Sequence, residues 1–164
     1  MLTIRRYEAA DAATVWALNR LPHLGATGDP SVPLQLEPLD SPPSQFPDLA
    51  DIDSTFIAAG GDFFVADMGG HLVGMAGFRA NEAGQAQVLR VRVHPAVRRH
   101  RLGARLMGVV ERRAVELGFT EAFLDTSTHQ PEAMAFYRSL GYQEVGRETR
   151  PDWDWTLVYF AKQL

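Results

Sequence analysis

The chain of 164 residues is 46% hydrophobic and carries a net charge of −4, which suits one folded domain and disfavours disorder and general nucleic-acid binding. It contains no cysteine, which excludes a disulfide framework, thiolate metal ligands and a cysteine nucleophile. No apolar run suits a signal peptide or a membrane span, so we expect a soluble, cytoplasmic protein with a single domain over residues 1–164 and no membrane partner.

The first part of the sequence predicts one strand, two helices and a long loop. Residues 2–7 alternate apolar and polar side chains and predict a strand, and residues 11–21 predict a helix with Asp11 as N-cap. Residues 21–48 contain seven of the ten prolines and show no period. We expect an acidic, functional loop there, because long loops in small domains usually carry function. Residues 49–61 predict a second helix that ends at a pair of glycines.

The second part of the sequence predicts six strands and two helices. Residues 62–80 flank a Gly-Gly turn and predict a hairpin, and residues 85–95 predict the strand that follows it. The later elements are helices over residues 102–119 and 131–142 and strands over residues 121–126, 142–148 and 154–164. Strand–helix–strand order predicts a parallel pair and hairpins predict antiparallel pairs, so we expect an α/β fold with a mixed sheet and helices on its faces.

Charge is unevenly distributed along the chain. From Leu21 to Phe78 there are eight acidic residues and no Lys or Arg, whereas Arg79 to Leu164 carries thirteen basic residues against ten acidic ones. Two regions of opposite charge are typical of a protein with two unlike ligands. Acidic loops also serve solubility, so both interpretations stay open.

The stretch VRVHPAVRRHRLGARLMG, Val91 to Gly108, combines a strand end, a proline and a helix start. The first N–H groups of a helix are unpaired and carry positive dipole charge, so anions bind there. Gly103 has no Cβ and allows a ligand close to the backbone, while arginines add charge-assisted hydrogen bonds. The pattern indicates a diphosphate site. A solvated surface or a nucleic-acid patch is the alternative for the basic run, which consists of Arg98, Arg99, His100 and Arg101.

Two motifs in the sequence resemble those of the GNAT (GCN5-related) N-acetyltransferases. One is Val-x-Pro-x-x-Arg-x-x-x-x-Gly before an amphipathic helix, and the other is Ala-x-x-Phe-Tyr-x-x-Leu-Gly-Tyr in LDTSTHQPEAMAFYRSLGY. The resemblance covers essentially the whole chain and is strongest from Val88 to Val145. It implies a mixed, mostly antiparallel sheet of about seven strands, with a splayed parallel pair and about four helices.

The resemblance also implies which residues bind acetyl-CoA. The backbone of the strand would pair with the pantetheine arm, the turn would hold the diphosphate, and Gln130 would take the place of an asparagine that touches the pantetheine or the sulfur. Arg101 replaces the family's middle glycine, and we expect it to keep a helical backbone and offer a further donor. The implied set is Val91, Arg92, Val93, Arg98, Arg99, His100, Arg101, Leu102, Gly103, Ala104 and Gln130.

Tyr137 matches the family's usual general acid. Proton transfer from a phenol with a pKa of about 10 to a thiolate is mildly unfavourable in water, and it is feasible in a site that shifts these pKa values. A core tyrosine on an amphipathic helix is the alternative. The general base stays open, because the preceding strand lacks the usual glutamate. Asp125 resembles the carboxylate of peptide-N-terminal acetylating relatives, and a water chain to Glu82, His129 or an acid of the loop is the other candidate.

The resemblance implies an N-acetyltransferase in which a primary amine attacks the thioester of acetyl-CoA directly. The acids Glu37, Asp40 and Asp48 favour a small cationic amine or a peptide N-terminus as the acceptor. No metal is implied, since the histidines show no ligand spacing. A CoA-binding module without catalysis is the alternative, because Arg101 and the missing glutamate depart from the pattern. We expect no nucleic-acid partner, and a homodimer is compatible because family members often form dimers.

Overall fold

Within residues 1–21 and 28–164, which the computed structural model describes (with only the backbone at Arg99 and His100), seven strands form one sheet. Its order is β1-β2-β3-β4-β5-β7-β6, and β4 and β5 are the parallel neighbours in an otherwise antiparallel sheet. This confirms the predicted fold class. The strands are β1 (Leu2–Arg6), β2 (Asp62–Met68), β3 (His71–Ala80), β4 (Ala86–Val93), β5 (Glu121–Ser127), β6 (Gln143–Glu148) and β7 (Leu157–Gln163).

The helices are α1 (Ala12–Asn19), α2 (Leu102–Glu116) and α3 (Pro131–Ser139). The regular helix predicted over residues 49–61 is wrong: a 3₁₀ turn over Pro47–Ala50 and a π-helical turn over Asp53–Ile57 stand there instead. The Thr55 hydroxyl donates to two backbone carbonyls, at 2.5 and 2.9 Å, and such bonds compete with a regular helical ladder. None of the helices in the described part of the chain combines the length and apolar character needed to cross a bilayer.

Two clusters of buried side chains hold the helices on opposite faces of the sheet. On β2, Phe63 and Val65 pack into the cluster beneath α1, whereas Phe64 and Ala66 pack into the cluster beneath α2. Both faces of the strand are therefore buried, which explains its continuous apolar run. At Gly74 a Cβ would lie 2.9 Å from Leu106 Cδ1, so this glycine lets α2 pack directly on β3.

Asp62 is the fully buried acid at the start of β2. Its carboxylate binds the Arg6 guanidinium at 2.9 Å and the Arg113 guanidinium at 3.0 Å, and it also accepts from the Phe63 N–H at 2.9 Å. Two cations and a backbone donor offset the desolvation of this carboxylate. The group thereby ties β1 and α2 to β2.

The parallel strands diverge shortly after they begin to pair. Only Ala86 with Ala122 and Gln87 with Phe123 are in register in the described residues of β4 and β5. On its other side β4 contains a bulge, because the register steps from Gly77–Leu89 to Met75–Arg92. Two residues of β4 then oppose one of β3, which bends the strand away from β5 and opens the sheet.

Candidate active site

The diverging halves of β4 and β5 enclose a cleft of about 340 Å³. Backbone groups beyond the last paired residues have no neighbouring strand at this point, so an extended ligand could pair with them as an added strand would. Residues 88–92 of β4 and 124–127 of β5 form the two walls, and α3 closes one end. Side chains at the ends and rim include Phe46, His129, Gln130, Ala133, Tyr137 and Trp155.

Arg90 lies in the bulge and adopts a left-handed backbone conformation, with φ of 59°. Such a conformation costs a non-glycine residue about 1–2 kcal/mol. Two contacts hold the side chain: Asp48 accepts from Nε at 2.9 Å and from Nη2 at 3.1 Å, and the Phe46 ring centroid lies 4.6 Å from the guanidinium carbon. Both partners come from the proline-rich loop. Asp48, expected to face the acceptor, therefore neutralises Arg90, a residue that the sequence analysis missed.

Tyr137 projects from α3 into the cleft and is almost fully buried. Its ring makes edge-to-face contacts with Phe136 and Tyr142, at centroid distances of 5.2 and 5.9 Å. Burial raises the pKa of the phenol well above its ordinary value, and the charge of Arg92 counteracts only part of that rise. The phenol is therefore protonated at neutral pH and able to donate a proton.

Asp125 reaches the cleft from β5 and stays solvent-exposed at its mouth. Desolvation by the surrounding cleft walls raises the pKa of the Asp125 carboxyl, and the positive charge of Arg90 opposes that rise. Gln130 accepts a hydrogen bond from the Thr126 hydroxyl at 3.0 Å, which orients its amide in the cleft. His129 lines the cleft too, whereas Glu82 lies in the β3–β4 turn and is not among the described residues that do.

His94 is buried at the end of β4, and both of its ring nitrogens are engaged. Nδ1 accepts from the Ala96 N–H at 3.1 Å, so Nε2 carries the proton and donates to the Pro33 carbonyl at 2.8 Å. These bonds anchor the proline-rich loop to the strand end. His94 therefore serves the turn.

The basic turn joins β4 to α2 through a 3₁₀ segment, Pro95–His100. Arg101 then adopts a left-handed conformation, with φ of 52° and ψ of 31°. The expectation of a right-handed helical backbone at Arg101 is wrong, because the chain has to reverse there to enter α2, as it would at a glycine. Arg98 is half-buried, and desolvation lowers the pKa of its guanidinium. The side chains of Arg99 and His100 lie outside the described part of the chain.

The N-terminus of α2 is open to an anion. Within the described residues no side chain caps it, and Leu102 and Gly103 are buried while Ala104 is half-buried. A further groove of about 710 Å³ runs along this end of α2 and is lined by Arg101, Arg105 and Arg112. Free helix N–H groups and arginines thus occur together, which suits a phosphorylated ligand.

The structure brings five of the thirteen predicted site residues to one cleft: Val91, Arg92, Asp125, Gln130 and Tyr137. Val93 is buried in the core. The turn residues lie where β4 leads into α2, at the N-terminus of that helix. Sequence reasoning missed Arg90 and Phe46 and assigned Asp48 to the acceptor, because these side chains meet only through tertiary contacts.

A family model described as Acetyltransferase (GNAT) family matches residues 32–142. The chain belongs to this family. A GNAT acetyltransferase from Staphylococcus aureus has the same fold, with a TM-score of 0.78 at 18% identity over 100% of this chain and 99% of that one. A GNAT phosphinothricin acetyltransferase from Sinorhizobium meliloti, solved in complex with AcCoA, has a TM-score of 0.74 at 22% identity over 99% and 88%.

The GNAT chain also resembles a curated relative in sequence. N-acetyltransferase 8F1 of Rattus norvegicus is 32% identical over 105 residues, which cover 61% of this chain and 48% of that protein. The chain thus spans about half the length of the curated relatives it matches. What the whole relative does remains a property of that protein.

The contact between Asp48 and Arg90 can be tested by substitution. Asp48→Asn should lower the free energy of unfolding by about 2 kcal/mol, because it leaves a half-buried guanidinium without its anion at a strained bulge. Urea unfolding measures this loss. Asp51→Asn, at an exposed acid close by in the chain, is the matched control and should change stability by less than about 0.5 kcal/mol. An equal loss in an Arg90→Gln background would contradict the pairing.

The left-handed residue at the basic turn gives a second prediction. Arg101→Gly should raise the free energy of unfolding by about 1 kcal/mol, since relief of backbone strain exceeds the added entropy of the unfolded chain. The resemblance implies that Arg101 binds the diphosphate, so the same variant should bind acetyl-CoA about tenfold more weakly through loss of one charge-assisted hydrogen bond. Thermal unfolding and calorimetric titration measure the two effects. Arg101→Lys, which keeps charge and strain, should show neither; unchanged affinity in Arg101→Gly would remove Arg101 from the binding site.

Proposed function

We propose that this GNAT chain is an acetyl-CoA-dependent N-acetyltransferase that transfers the acetyl group directly to a primary amine. One observation carries the proposal: the splayed β4–β5 cleft places a protonated phenol and a carboxylate beside unpaired strand backbone. Tyr137 and Asp125 are the two groups. General acid–base catalysis of acyl transfer needs such a pair within one cleft.

Four features support acetyl-CoA as the co-substrate. The pantetheine arm would lie along the β4 backbone at Val91–Val93, in a cleft of about 340 Å³. The diphosphate would lie on the turn of Arg98 to Gly103, at the N-terminus of α2. The arginine-lined groove beside α2 provides further charge for the phosphorylated end of the molecule. The Gln130 amide, oriented by Thr126, would face the thioester end.

The chemistry requires two proton transfers and no covalent enzyme intermediate. The amine nitrogen forms a bond to the thioester carbonyl carbon, and the carbon–sulfur bond breaks. Asp125, or a water molecule bound to it, would take the proton that the amine loses, and the Tyr137 hydroxyl would protonate the departing sulfur. The N–H of Val91, at the bulge, would donate to the oxygen that gains charge during the attack.

The acceptor would be a small molecule or a peptide N-terminus that reaches the cleft past the proline-rich loop. Our expectation of a cationic acceptor depended on three acids of that loop, and Asp48 is bound to Arg90. Asp40 lines a groove beside the cleft, but Arg20 and Arg92 line the same groove. The described lining of this groove is therefore not acidic.

The phenol of Tyr137 is tested by Tyr137→Phe, with release of coenzyme A thiol from acetyl-CoA measured across a panel of amines. The variant should lose about 100-fold or more in kcat, because the leaving thiolate has no proton donor, and acetyl-CoA should still raise its Tm. Tyr142→Phe is the matched control, since the Tyr142 hydroxyl donates to Glu111 at 2.9 Å and lies outside the cleft. Similar kcat in both variants would remove Tyr137 as the proton donor. No turnover by the unaltered protein with any amine, while acetyl-CoA still raises its Tm, would favour a non-catalytic CoA-binding module.

The pH dependence tests the base. Desolvation raises the pKa of Asp125 above its ordinary value. Because a general base works only when it is deprotonated, kcat should fall as the pH drops through that raised pKa. Asp125→Asn should remove this acid limb and lower kcat by about 100-fold. An acid limb that persists in Asp125→Asn would assign the base to another group, such as His129.

The raised pKa of Tyr137 predicts that no alkaline loss of activity appears below the ordinary tyrosine pKa of about 10.

A further inference from the structure

Arg92 is a buried cation without an acidic partner among the described residues. Its side chain is 6% exposed, and its Nη1 and Nε donate only to backbone carbonyls, of Val91 at 3.0 Å and Asn19 at 3.4 Å. No ion pair reaches it from any carboxylate in residues 1–21 or 28–164. A buried charge without a counter-ion is costly, so it marks a place where a ligand's charge is expected.

The state of this guanidinium suits an anion. Desolvation lowers its pKa to about 10, with a smaller contribution from Arg90. It therefore stays positive at neutral pH. The carbonyl bonds use Nε and Nη1, so Nη2 makes no bond to the described residues and can donate to a ligand.

The position of Arg92 on β4 sends its side chain to the acceptor side. Val91 and Val93 pack into the core beneath α2, and neighbouring side chains of a strand point to opposite faces. Arg92 accordingly contacts the last residue of α1. It lines both the cleft and a groove of about 980 Å³ formed by residues 19–21 and 39–46. A molecule that passes from this groove to the cleft passes the guanidinium.

The charge of the groove agrees with that of Arg92. Its described lining contains Arg20 and Arg92 against Asp40, so positive charge exceeds negative by one. Arg90 adds nothing to this excess because Asp48 pairs with it. An acceptor with a second positive group would meet repulsion at the entrance.

We propose that Arg92 binds an anionic group, a carboxylate or a phosphate, on the amine acceptor, so that the substrate carries both an amine and an acid. The inference rests on the proposed acetyl transfer and narrows its acceptor to amino acids and related amino acids of phosphorus. A guanidinium forms paired hydrogen bonds to such groups. An analogue without the acid leaves the buried cation unpaired, which is the strongest basis for discrimination in a polar site.

The test compares matched acceptors on the full chain. L-amino acids, their carboxamides and the corresponding 1-aminoalkylphosphonates are assayed by thiol release from acetyl-CoA. The unaltered protein should prefer the acids to the carboxamides by at least about tenfold in kcat/KM, mainly through KM. In Arg92→Gln the acid-to-carboxamide ratio should fall to about one, and Arg92→Lys should retain part of it. Preference for the phosphonates over the carboxylates would assign the phosphate form of the anion.

Arg20→Gln is the matched control, because Arg20 is an exposed arginine on the same groove. Arg20→Gln removes one positive charge from the groove but leaves the Arg92 guanidinium in place, so the acid-to-carboxamide ratio of kcat/KM should stay as in the unaltered protein. An equal drop in Arg20→Gln would indicate a general field and overturn specific binding by Arg92. A ratio near one in the unaltered protein, or a ratio that Arg92→Gln leaves unchanged, would overturn it too.

A binding measurement separates this inference from the proposed function. N-acetyl-amino acids and their carboxamides are titrated into the protein with coenzyme A present, which requires no turnover. Tighter binding of the acids that disappears in Arg92→Gln supports the anion site even if no amine is acetylated. Equal binding of acids and carboxamides contradicts it even if acetylation occurs. Where Arg92→Gln fails to unfold cooperatively, Arg92→Lys provides the comparison.

Discussion

The divergence of β4 from β5 is the constraint on which the rest of this structure depends. Parallel neighbours that stayed paired would close the sheet, and no cleft would exist between them. The bulge at Arg90 bends β4, and its left-handed backbone is held by Asp48 and Phe46 from the proline-rich loop. The last residues of the proline-rich loop thus hold the bulge that opens the sheet. The same loop lines the groove through which an acceptor would enter.

Strain is concentrated at the two ends of the segment proposed to bind acetyl-CoA. Among the described non-glycine residues, only Arg90 and Arg101 have left-handed backbones. Arg90 precedes the β4 backbone proposed to pair with the pantetheine arm, and Arg101 precedes α2. Backbone strain that surrounding contacts maintain is common where a ligand binds, because it points backbone groups away from their usual partners. Here it would direct the β4 backbone and the α2 N-terminus toward one ligand.

Buried charges divide into two kinds in this protein. Asp62 is fully buried between Arg6 and Arg113, so its charge is compensated within the fold and it joins three elements. Arg92 is nearly as buried, yet it meets only backbone carbonyls on the described chain. The first arrangement stabilises the native state. The arrangement of Arg92 destabilises the native state. Such a loss of stability is expected at a functional site where a ligand supplies the missing negative charge.

The sequence alone determined the seven strands, the helices α1, α2 and α3, their order and the family, because those depend on local patterns; the helix predicted over residues 49–61 is the exception. Alternation and helical spacing placed seven strands and the helices, and the motifs around Arg98 and Tyr137 identified the family before any contact was known. Predicted site residues such as Gln130 and Asp125 came from the same motifs, and the structure places both on the cleft.

Tertiary structure decided what the charged side chains do. Asp48 and Arg90 are 42 residues apart in the chain, and no local spacing shows that they pair. The left-handed backbone of Arg101 and the π-helical turn at Asp53–Ile57 follow from packing and side-chain bonds rather than propensity. Whether Arg92 is solvated or buried without an acid depends on which segments cover β4. Burial and pairing of charge are properties of the assembled chain, so the acceptor's chemistry could be inferred only from the fold.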